Sequence, residues 1–374
     1  MVPEKKYPFL TDLLSPFWKR HRKTLGLVIA AIAVTGQARS FAIATTVARW
    51  LGTRLDSAVN RFYRLLRNTR VDYTVFAAQW ARLLVRGKER LLHVAIDWTE
   101  WHHDLRMLVA AVVTGKRAIP LFAQAFPKKI WSRSQNSREN TFLRLVAWAV
   151  KDAAAKAMVL CDRGFRRVSW VQLLQTLHMG FVVRLKDDVQ VEIAPGLLVP
   201  LSDVLVTEGR VLDLGVVRLR ADGKVRARVV GYWSPGAHEP WWLATSEEGP
   251  ASDVLRHYDR RMTVEEQFRD TKGRRFGVKL FWTQFRDPEA LARFMMLLAV
   301  ALLIWTIAGT VAARKDPSLR LRSRKKGPRQ SYVTIGLRIL TVESIPILLS
   351  PSAIRKYLEL PALRRIAGVR RGGK

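Results

Sequence analysis

The sequence has one cysteine, few acidic residues and no glycine-rich phosphate loop. Cys161 has no second cysteine to pair with, which excludes an internal disulfide and fits a reducing compartment. No stretch has the P-loop pattern, so ATP binding is not indicated. The 31 Asp and Glu residues are outnumbered by 64 Lys and Arg residues, giving a formal net charge of +33. This excess predicts a polyanionic partner, most commonly nucleic acid, with a membrane surface or an acidic protein as the alternative.

Long apolar runs are also scarce. The N-terminal stretch MVPEKKYPFLTDLLSPFWKR carries charges and prolines where a signal peptide needs an apolar run. Only FMMLLAVALLIWTIAGTVAA, Phe294 to Ala313, is uncharged over about the length of a membrane-spanning helix. A core helix covered on all sides is apolar all round as well. We therefore predict a core helix and no membrane insertion, with a membrane-associated basic protein as the alternative.

The N-terminal part of the chain, residues 1–85, has a helical pattern. In SFAIATTVARWLGTRLDSAVNRFYRLLRN, residues 40–68, apolar residues recur at helical spacing on both sides of a glycine turn. The second predicted helix carries Arg54, Asn60, Arg61, Arg64 and Arg67. This pattern suits a helix-turn-helix that lies on DNA. A small helical bundle with a solvated basic face is the alternative.

From residue 86 the pattern changes to strands and helices. Residues 86–187 predict the order strand, strand, strand, helix, strand, helix, strand, which is typical of an α/β domain with a mixed sheet flanked by helices. Residues 188–246 read as a β-rich insertion because their apolar runs are short and strand-like. Helical character resumes over residues 247–313, and residues 314–374 form a basic C-terminal region.

Two aspartates directly follow buried-type strands. Asp97 follows LLHVAI and Asp162 follows AMVLC. A carboxylate at such a position is costly unless it is exposed or neutralised by a cation. Strand ends are also where α/β sheets place their sites. Two aspartates in one predicted sheet therefore indicate a site for a hard cation such as Mg²⁺.

The stretch YDRRMTVEEQFRDTKGRRFG, Tyr258 to Gly277, concentrates acids and bases. On a continuous helix, which advances about 100° per residue, one face collects Tyr258, Arg261, Glu265 and Lys272. Such a face suits a carboxylate that reaches a metal ion beside cations that hold phosphates. A surface helix with ordinary ion pairs, such as Glu265 to Arg269, is the alternative.

These residues carry a resemblance to a known family. Tyr258, Arg261, Glu265 and Lys272 match the pattern Y-x2-R-x3-E-x6-K at every spacing, and AIDWTEW and LCDRGF resemble two aspartate-bearing strand segments. The chain resembles a bacterial insertion-sequence transposase of the DDE type, in the group with this YREK signature (insertion sequence 4-like). The resemblance spans roughly Leu91 to Ala313 and implies an RNase H-like catalytic core with a β-rich insertion.

The resemblance also implies a chemistry. Asp97, Asp162 and Glu265 would be the catalytic triad and would bind two Mg²⁺ ions, with Mn²⁺ expected to substitute. The DNA-binding residues would be Tyr258, Arg261, Lys272, Arg184 and Trp241. In the family a tryptophan of a W-x-L-x-T-like run holds a flipped base; Trp241 matches the spacing in EPWWLATS, and Trp242 is the other candidate.

The implied partners are double-stranded DNA, both transposon ends and target, and a second copy of the chain in a synapsed homodimer. The implied location is the cytoplasm, in association with the nucleoid. The implied function is metal-dependent cleavage at transposon ends followed by strand transfer. Two alternatives stay open: an RNase H-like metal-dependent nuclease that does not join strands, and a non-catalytic domesticated DNA-binding protein.

Overall fold

A computed structural model of the protein describes most of the chain. It covers residues 9–85, 91–101, 104–114, 117–130, 135–153, 156–219, 225–272, 283, 285–320 and 330–342. The last 32 positions of the predicted basic C-terminal region, 343–374, lie outside the described residues.

The N-terminal region is helical. Over residues 9–85 the helices are α1 (Phe9–Leu14), α2 (Lys19–Thr35), α3 (Ser40–Leu51), α4 (Leu55–Arg67) and α5 (Tyr73–Val85). Helices α2 and α3 both end at a glycine in the left-handed conformation, Gly36 and Gly52, which favours residues without a Cβ. Helices α3 and α4 therefore occur where the sequence predicts a helix-turn-helix; DNA binding by them stays a prediction.

One ten-stranded sheet forms the centre of the rest. The strands are β1 (Leu91–Trp101), β2 (Leu105–Thr114), β3 (Arg117–Pro127), β4 (Lys156–Cys161), β5 (Gly180–Leu185), β6 (Gln190–Ala194), β7 (Leu197–Pro200), β8 (Val211–Leu219), β9 (Val225–Tyr232) and β10 (Trp241–Thr245). Their spatial order is β3-β2-β1-β4-β5-β10-β9-β8-β6-β7. The neighbours β1, β4 and β5 are parallel, and the other pairs are antiparallel.

The remaining described α-helices flank this sheet and complete the core. They are α6 (Gln135–Val150), α7 (Val168–Thr176), α8 (Ala251–Asp259), α9 (Thr263–Lys272), α10 (Pro288–Lys315) and α11 (Tyr332–Val342). The predicted mixed sheet flanked by helices is confirmed. Strands of the predicted β-rich insertion continue the same sheet, because β10 pairs with both β5 and β9.

Helix α10 is the apolar segment singled out in the sequence. Asp287 caps its first turn by accepting a hydrogen bond from the Glu289 amide at 3.0 Å, and Pro288 occupies the first turn. By length and composition the helix could cross a membrane, as could α2 and α3 if they were counted as one bent span. However, 94% of its most apolar window is buried inside the protein. The burial is that of a core helix, as predicted.

Helix α11 lies in backbone contact with α10. A Cβ on Gly309 would overlap the carbonyl oxygen of Tyr332, and a Cβ on Gly336 would overlap that of Trp305. Only glycine permits this approach, so the two helices pack as one unit. This contact holds α11, which belongs to the predicted C-terminal region, on the core helix α10.

Candidate active site

Asp162 directly follows β4, as predicted, but Asp97 lies within β1 at the point where its pairing with β4 ends. The prediction that a strand ends at Asp97 is wrong, because β1 goes on pairing with β2 as far as Trp101. In the β1–β4 ladder Ile96 is opposite Cys161, so the next residues, Asp97 and Asp162, are neighbours across the sheet. Parallel strands present their carboxyl ends at one edge, which is where such sheets place their sites. The sheet therefore brings together the two aspartates that the sequence singles out.

Asp97 is held from two sides. Its carboxylate accepts the Trp98 backbone N–H at 2.7 Å and the Arg261 Nη1 at 3.1 Å. Burial, followed by the neighbouring carboxylate of Asp162, raises the pKa of Asp97 to about 7, although Arg261 and the Trp98 amide oppose the shift. Asp97 is therefore a carboxylate whose charge is poorly compensated by the protein.

Asp162 shapes the turn that follows β4. Its Oδ1 accepts the Gly164 backbone N–H at 2.8 Å and caps the single turn of 3₁₀-helix Arg163–Phe165. A Cβ on Gly164 would lie 2.9 Å from the same oxygen, so glycine lets the backbone close on the carboxylate. Among the described residues no hydrogen bond is made by the second carboxylate oxygen of Asp162, which can take a further ligand.

Glu265 lies in the first turn of α9, and its helix is not continuous with the one before it. The single helix predicted from Tyr258 onward is wrong in this respect: α8 ends at Asp259, and a 3₁₀ turn at Arg260–Met262 joins it to α9. The Thr263 hydroxyl donates to the Arg260 carbonyl at 2.8 Å and stabilises the tighter turn.

Arg261, on this turn, joins the acidic residues. Its Nη1 is 3.1 Å from Asp97 Oδ2 and its Nη2 is 3.1 Å from Glu265 Oε1. The Arg261 side chain is only 10% exposed, so its pair with the buried Asp97 forms largely out of water, whereas Glu265 is 46% exposed. Asp97, Asp162 and Glu265 thus converge on one region, with Arg261 connecting the first and the third.

The opposite side of α9 is fixed by a basic residue that belongs to no sequence motif. Arg117, on β3, donates to Glu266 at 2.7 Å and lies 3.6 Å from Asp270 one turn later. Burial raises the pKa of Asp270 to about 6, and Ser331 donates to its Oδ1 at 3.3 Å. Glu265 therefore faces the aspartates because Glu266 and Asp270 are held by β3.

Lys272, at the end of α9, reaches back to β1. Its Nζ donates to the Thr99 hydroxyl and to the Glu100 carbonyl, the latter at 2.5 Å. Burial lowers the pKa of Lys272 to about 8, opposed by Glu100 and Asp97. The ammonium group therefore ties α9 to the strand just beyond Asp97.

Three members of the predicted DNA-binding set lie together as an aromatic and cationic group: Tyr258, Arg184 and Trp241. The Trp241 and Tyr258 rings meet edge to face at 5.1 Å, and the Arg184 guanidinium lies 6.0 Å from the centre of the Trp241 ring. Tyr258 is only 3% exposed, and burial raises its pKa. Arg184 also pairs with Glu239 at 2.8 Å, as does Arg163.

The two tryptophans of β10 differ in environment. Trp241 is partly buried, whereas Trp242 is 2% exposed and belongs to the core. A Cβ on Gly231, its partner on β9, would lie 2.6 Å from the Trp242 ring, so the ring lies flat against a strand position without a side chain. Of the two rings, only that of Trp241 is partly exposed, and it lies beside the Arg184 guanidinium.

A polar cleft of about 460 Å³ lies in the N-terminal region between α2 and α4. Its lining residues are His21, Thr24, Ser57, Asn60, Arg61, Arg64, Leu65 and Asn68. The first turns of α2, which supply His21 and Thr24 to this lining, also carry Lys19, Arg20, Arg22 and Lys23. A helix N-terminus and several cations around one cleft favour an anion.

The donors at the acidic site fit a hard divalent cation in chemical type. Burial and the charge of Asp162 both raise the pKa of Asp97, and a bound cation would offset both effects. Within the described ranges no group of three or more His, Cys, Asp or Glu side chains is arranged to hold a metal, since Arg261 lies between Asp97 and Glu265. A third ligand would therefore require Glu265 to leave Arg261.

Comparison with known families gives the class of the protein. Residues 89–304, more than half of the chain, match the model of the transposase DDE domain. The chain belongs to the transposase DDE domain family. No curated protein matches it. The predicted transposase class is thereby confirmed, and the matched range contains Asp97, Asp162 and Glu265. Enzymes of this family act on DNA and generally depend on divalent metal ions.

In EDTA, Asp97→Asn is expected to raise the melting temperature at pH 8, and this gain is expected to shrink towards pH 5. The pKa of Asp97 is about 7 in the folded protein and about 4 in an unfolded chain. Between these values the folded state binds more protons, so the free energy of unfolding falls as pH rises, by on the order of 2–4 kcal/mol. Asparagine removes this loss. Thermal unfolding of both proteins at pH 5 and pH 8 measures the gain in melting temperature. An equal gain at both pH values would contradict the raised pKa of Asp97.

Proposed function

We propose that the protein is a DNA transposase that cleaves transposon ends and transfers the cut strand into target DNA. The observation that carries the proposal is the convergence of Asp97, Asp162 and Glu265 at one end of the sheet, joined by Arg261. The match to the transposase DDE domain supports it. The spacing of Tyr258, Arg261, Glu265 and Lys272 supports membership of the YREK-signature group.

In this proposal Asp97, Asp162 and Glu265 hold Mg²⁺, or Mn²⁺ in its place. Two such ions would activate a water or a DNA 3′-hydroxyl and stabilise the leaving oxygen of an in-line displacement. Besides its predicted contact with DNA, Arg261 holds Glu265 towards Asp97, since its guanidinium lies 3.1 Å from each carboxylate. Without Glu265 as a partner, the guanidinium would be free to donate to a DNA phosphate.

Lys272, Arg184 and Tyr258 would position the DNA beside the carboxylates. The lowered pKa of Lys272, about 8, leaves the ammonium form dominant at neutral pH, so it can donate to a phosphate. Arg184 would exchange Glu239 for a phosphate, since a carboxylate and a phosphate oxygen are similar acceptors. Trp241, edge to face with Tyr258, would supply the ring on which an extruded base stacks.

The N-terminal region would bind the ends of the element. The cleft between α2 and α4 presents Asn60, Arg61 and Arg64 opposite the basic start of α2, which suits a DNA backbone. Two copies of the chain would bring two ends together in a synapsed homodimer. The protein would act in the cytoplasm on nucleoid DNA.

The double variant Arg61→Gln, Arg64→Gln is expected to reduce the salt dependence of DNA binding. Each arginine that no longer neutralises a phosphate lowers the slope of log K against log salt by about 0.9, so the expected change is about 2 for the pair. Arg82→Gln is the matched control, because Arg82 is paired with Asp152 at 3.2 Å. Fluorescence anisotropy over a salt series measures the slopes. Equal slopes for the double variant and the wild type would remove the cleft from the DNA interface.

Strand joining separates a transposase from a nuclease of the same fold. The test uses purified protein, Mg²⁺ and duplexes taken from the DNA that flanks the gene, searched for inverted repeats, with supercoiled plasmid as target. The proposal predicts plasmid products covalently joined to the labelled 3′ end. Hydrolysis of the duplex without any joined product would favour the nuclease, and binding without cleavage would favour a non-catalytic protein.

A further inference from the structure

We infer that Glu139 is a positioning residue that holds, from the far side of the sheet, the side chain next to Asp97 and the side chain that ends the Asp162 turn. The inference rests on the proposed function, in which Asp97 and Asp162 bind the catalytic cation. Glu139 lies on α6, in a part of the sequence without any recognised motif, and its side chain is only 1% exposed. A fully buried carboxylate is costly unless it has partners, so its contacts are informative.

Glu139 accepts hydrogen bonds from three elements. Its Oε1 accepts the Trp98 indole N–H at 2.8 Å and the Gln135 amide at 2.8 Å. Its Oε2 accepts the Arg167 guanidinium at 2.5 Å. Trp98 belongs to β1, Gln135 to the start of α6, and Arg167 directly precedes α7. Both oxygens are thus used, and one side chain connects a strand and two helices.

Two of these partners adjoin the catalytic aspartates. Trp98 follows Asp97 directly, and its backbone N–H donates to the Asp97 carboxylate at 2.7 Å. Arg167 ends the short segment that begins at Asp162, whose carboxylate caps the turn Arg163–Phe165. Glu139 therefore fixes the residue that orients the Asp97 carboxylate and the far end of the Asp162 turn.

Glu139 cannot itself reach the cation. Successive side chains of a strand point to opposite faces of the sheet. On β1, Thr99 contacts Lys272 of α9, and Asp97 lies on that same face together with Arg261. Trp98 points to the other face, where α6 carries Glu139. The role of Glu139 is therefore to hold ligands in place, as hydrogen-bonded outer residues do around metal ions.

The test compares Trp98→Phe and Glu139→Gln with Asp97→Asn and Asp213→Asn. Trp98→Phe keeps the aromatic ring but removes the indole N–H, so it breaks one link and is expected to fold. Asp213→Asn is the matched control, because it removes a carboxylate from Arg228 in the β-rich insertion. Mn²⁺ binding to the DNA-free protein is measured by electron paramagnetic resonance, alongside thermal unfolding and the kcat and KM of DNA cleavage.

Trp98→Phe and Glu139→Gln are each expected to weaken Mn²⁺ binding by about tenfold to a hundredfold, and to lower kcat while the KM for DNA stays unchanged. Asp213→Asn is expected to match the wild type in Mn²⁺ affinity and in the kcat and KM of DNA cleavage. Wild-type Mn²⁺ affinity in folded Trp98→Phe and Glu139→Gln, with loss in Asp97→Asn, would overturn the positioning role alone. Unchanged affinity in Asp97→Asn would contradict the proposed metal site itself.

Discussion

Asp97→Asn and Asp162→Asn are each expected to lower the rate of DNA-end cleavage by about a thousandfold or more. A metal ion contributes several kcal/mol of charge stabilisation to the transition state, and each ~1.4 kcal/mol corresponds to a factor of ten in rate. An amide keeps the size of the side chain but is a much weaker ligand for Mg²⁺. Single-turnover cleavage of a labelled end substrate measures the effect.

DNA binding by both variants is expected to stay within a few-fold of the wild type. Neither aspartate belongs to the residues that are proposed to contact DNA. Asp104→Asn is a suitable control, since Asp104 lies on the turn just before β2 and is not one of the three proposed metal ligands. Cleavage by Asp97→Asn or Asp162→Asn at a rate near that of the wild type would contradict the assignment of these residues as metal ligands.

Trp242→Ala is expected to destabilise the protein by about 3–5 kcal/mol, the usual cost of truncating a large buried aromatic side chain. Trp242 is 2% exposed and packs on Gly231. Trp241→Ala is expected to cost much less, because the ring is only partly buried. Chemical or thermal unfolding of both variants measures the difference, and an equal loss would mean that both rings are structural.

Trp241→Ala is expected instead to slow the step in which the DNA end is distorted. Base–aromatic stacking is worth roughly 1–3 kcal/mol, which corresponds to about a tenfold to hundredfold loss of rate. An end substrate that lacks the extruded base is expected to restore part of the rate, since its unstacking cost is gone. Restoration for Trp242→Ala and not for Trp241→Ala would exchange their roles.

The sequence predicted the sheet and its aspartates because both depend on local patterns. Buried strands read as apolar runs, and the polar residue that ends each run is conspicuous, as Asp97 and Asp162 are. The neighbouring positions of these two residues then follow from parallel pairing of β1 with β4. The pattern around Glu265 could also be recognised in the sequence, because it is a local spacing of four residues, Tyr258, Arg261, Glu265 and Lys272.

Contacts between distant segments were not readable in the same way. Arg117 and Glu266 are far apart in the sequence, and a single arginine on a strand carries no sign of its partner. Glu139 reads as an ordinary helix residue until the fold buries it beside Trp98. The 3₁₀ turn at Arg260–Met262 was also missed, since its residues fit a continuous helical pattern and the break depends on packing.

The comparison of Glu265→Gln with Glu266→Gln tests the central claim most directly. The two glutamates are adjacent, but Glu265 lies with Arg261 and the aspartates, whereas Glu266 pairs with Arg117 at 2.7 Å. Mg²⁺-dependent cleavage of a labelled transposon end is expected to be lost in Glu265→Gln and to stay within about tenfold of the wild type in Glu266→Gln. A glutamine can still accept from Arg117, Asp270 still pairs with Arg117, and a partly exposed ion pair is worth about 1 kcal/mol or less. Normal cleavage by Glu265→Gln together with an inactive Glu266→Gln would contradict the proposed catalytic triad.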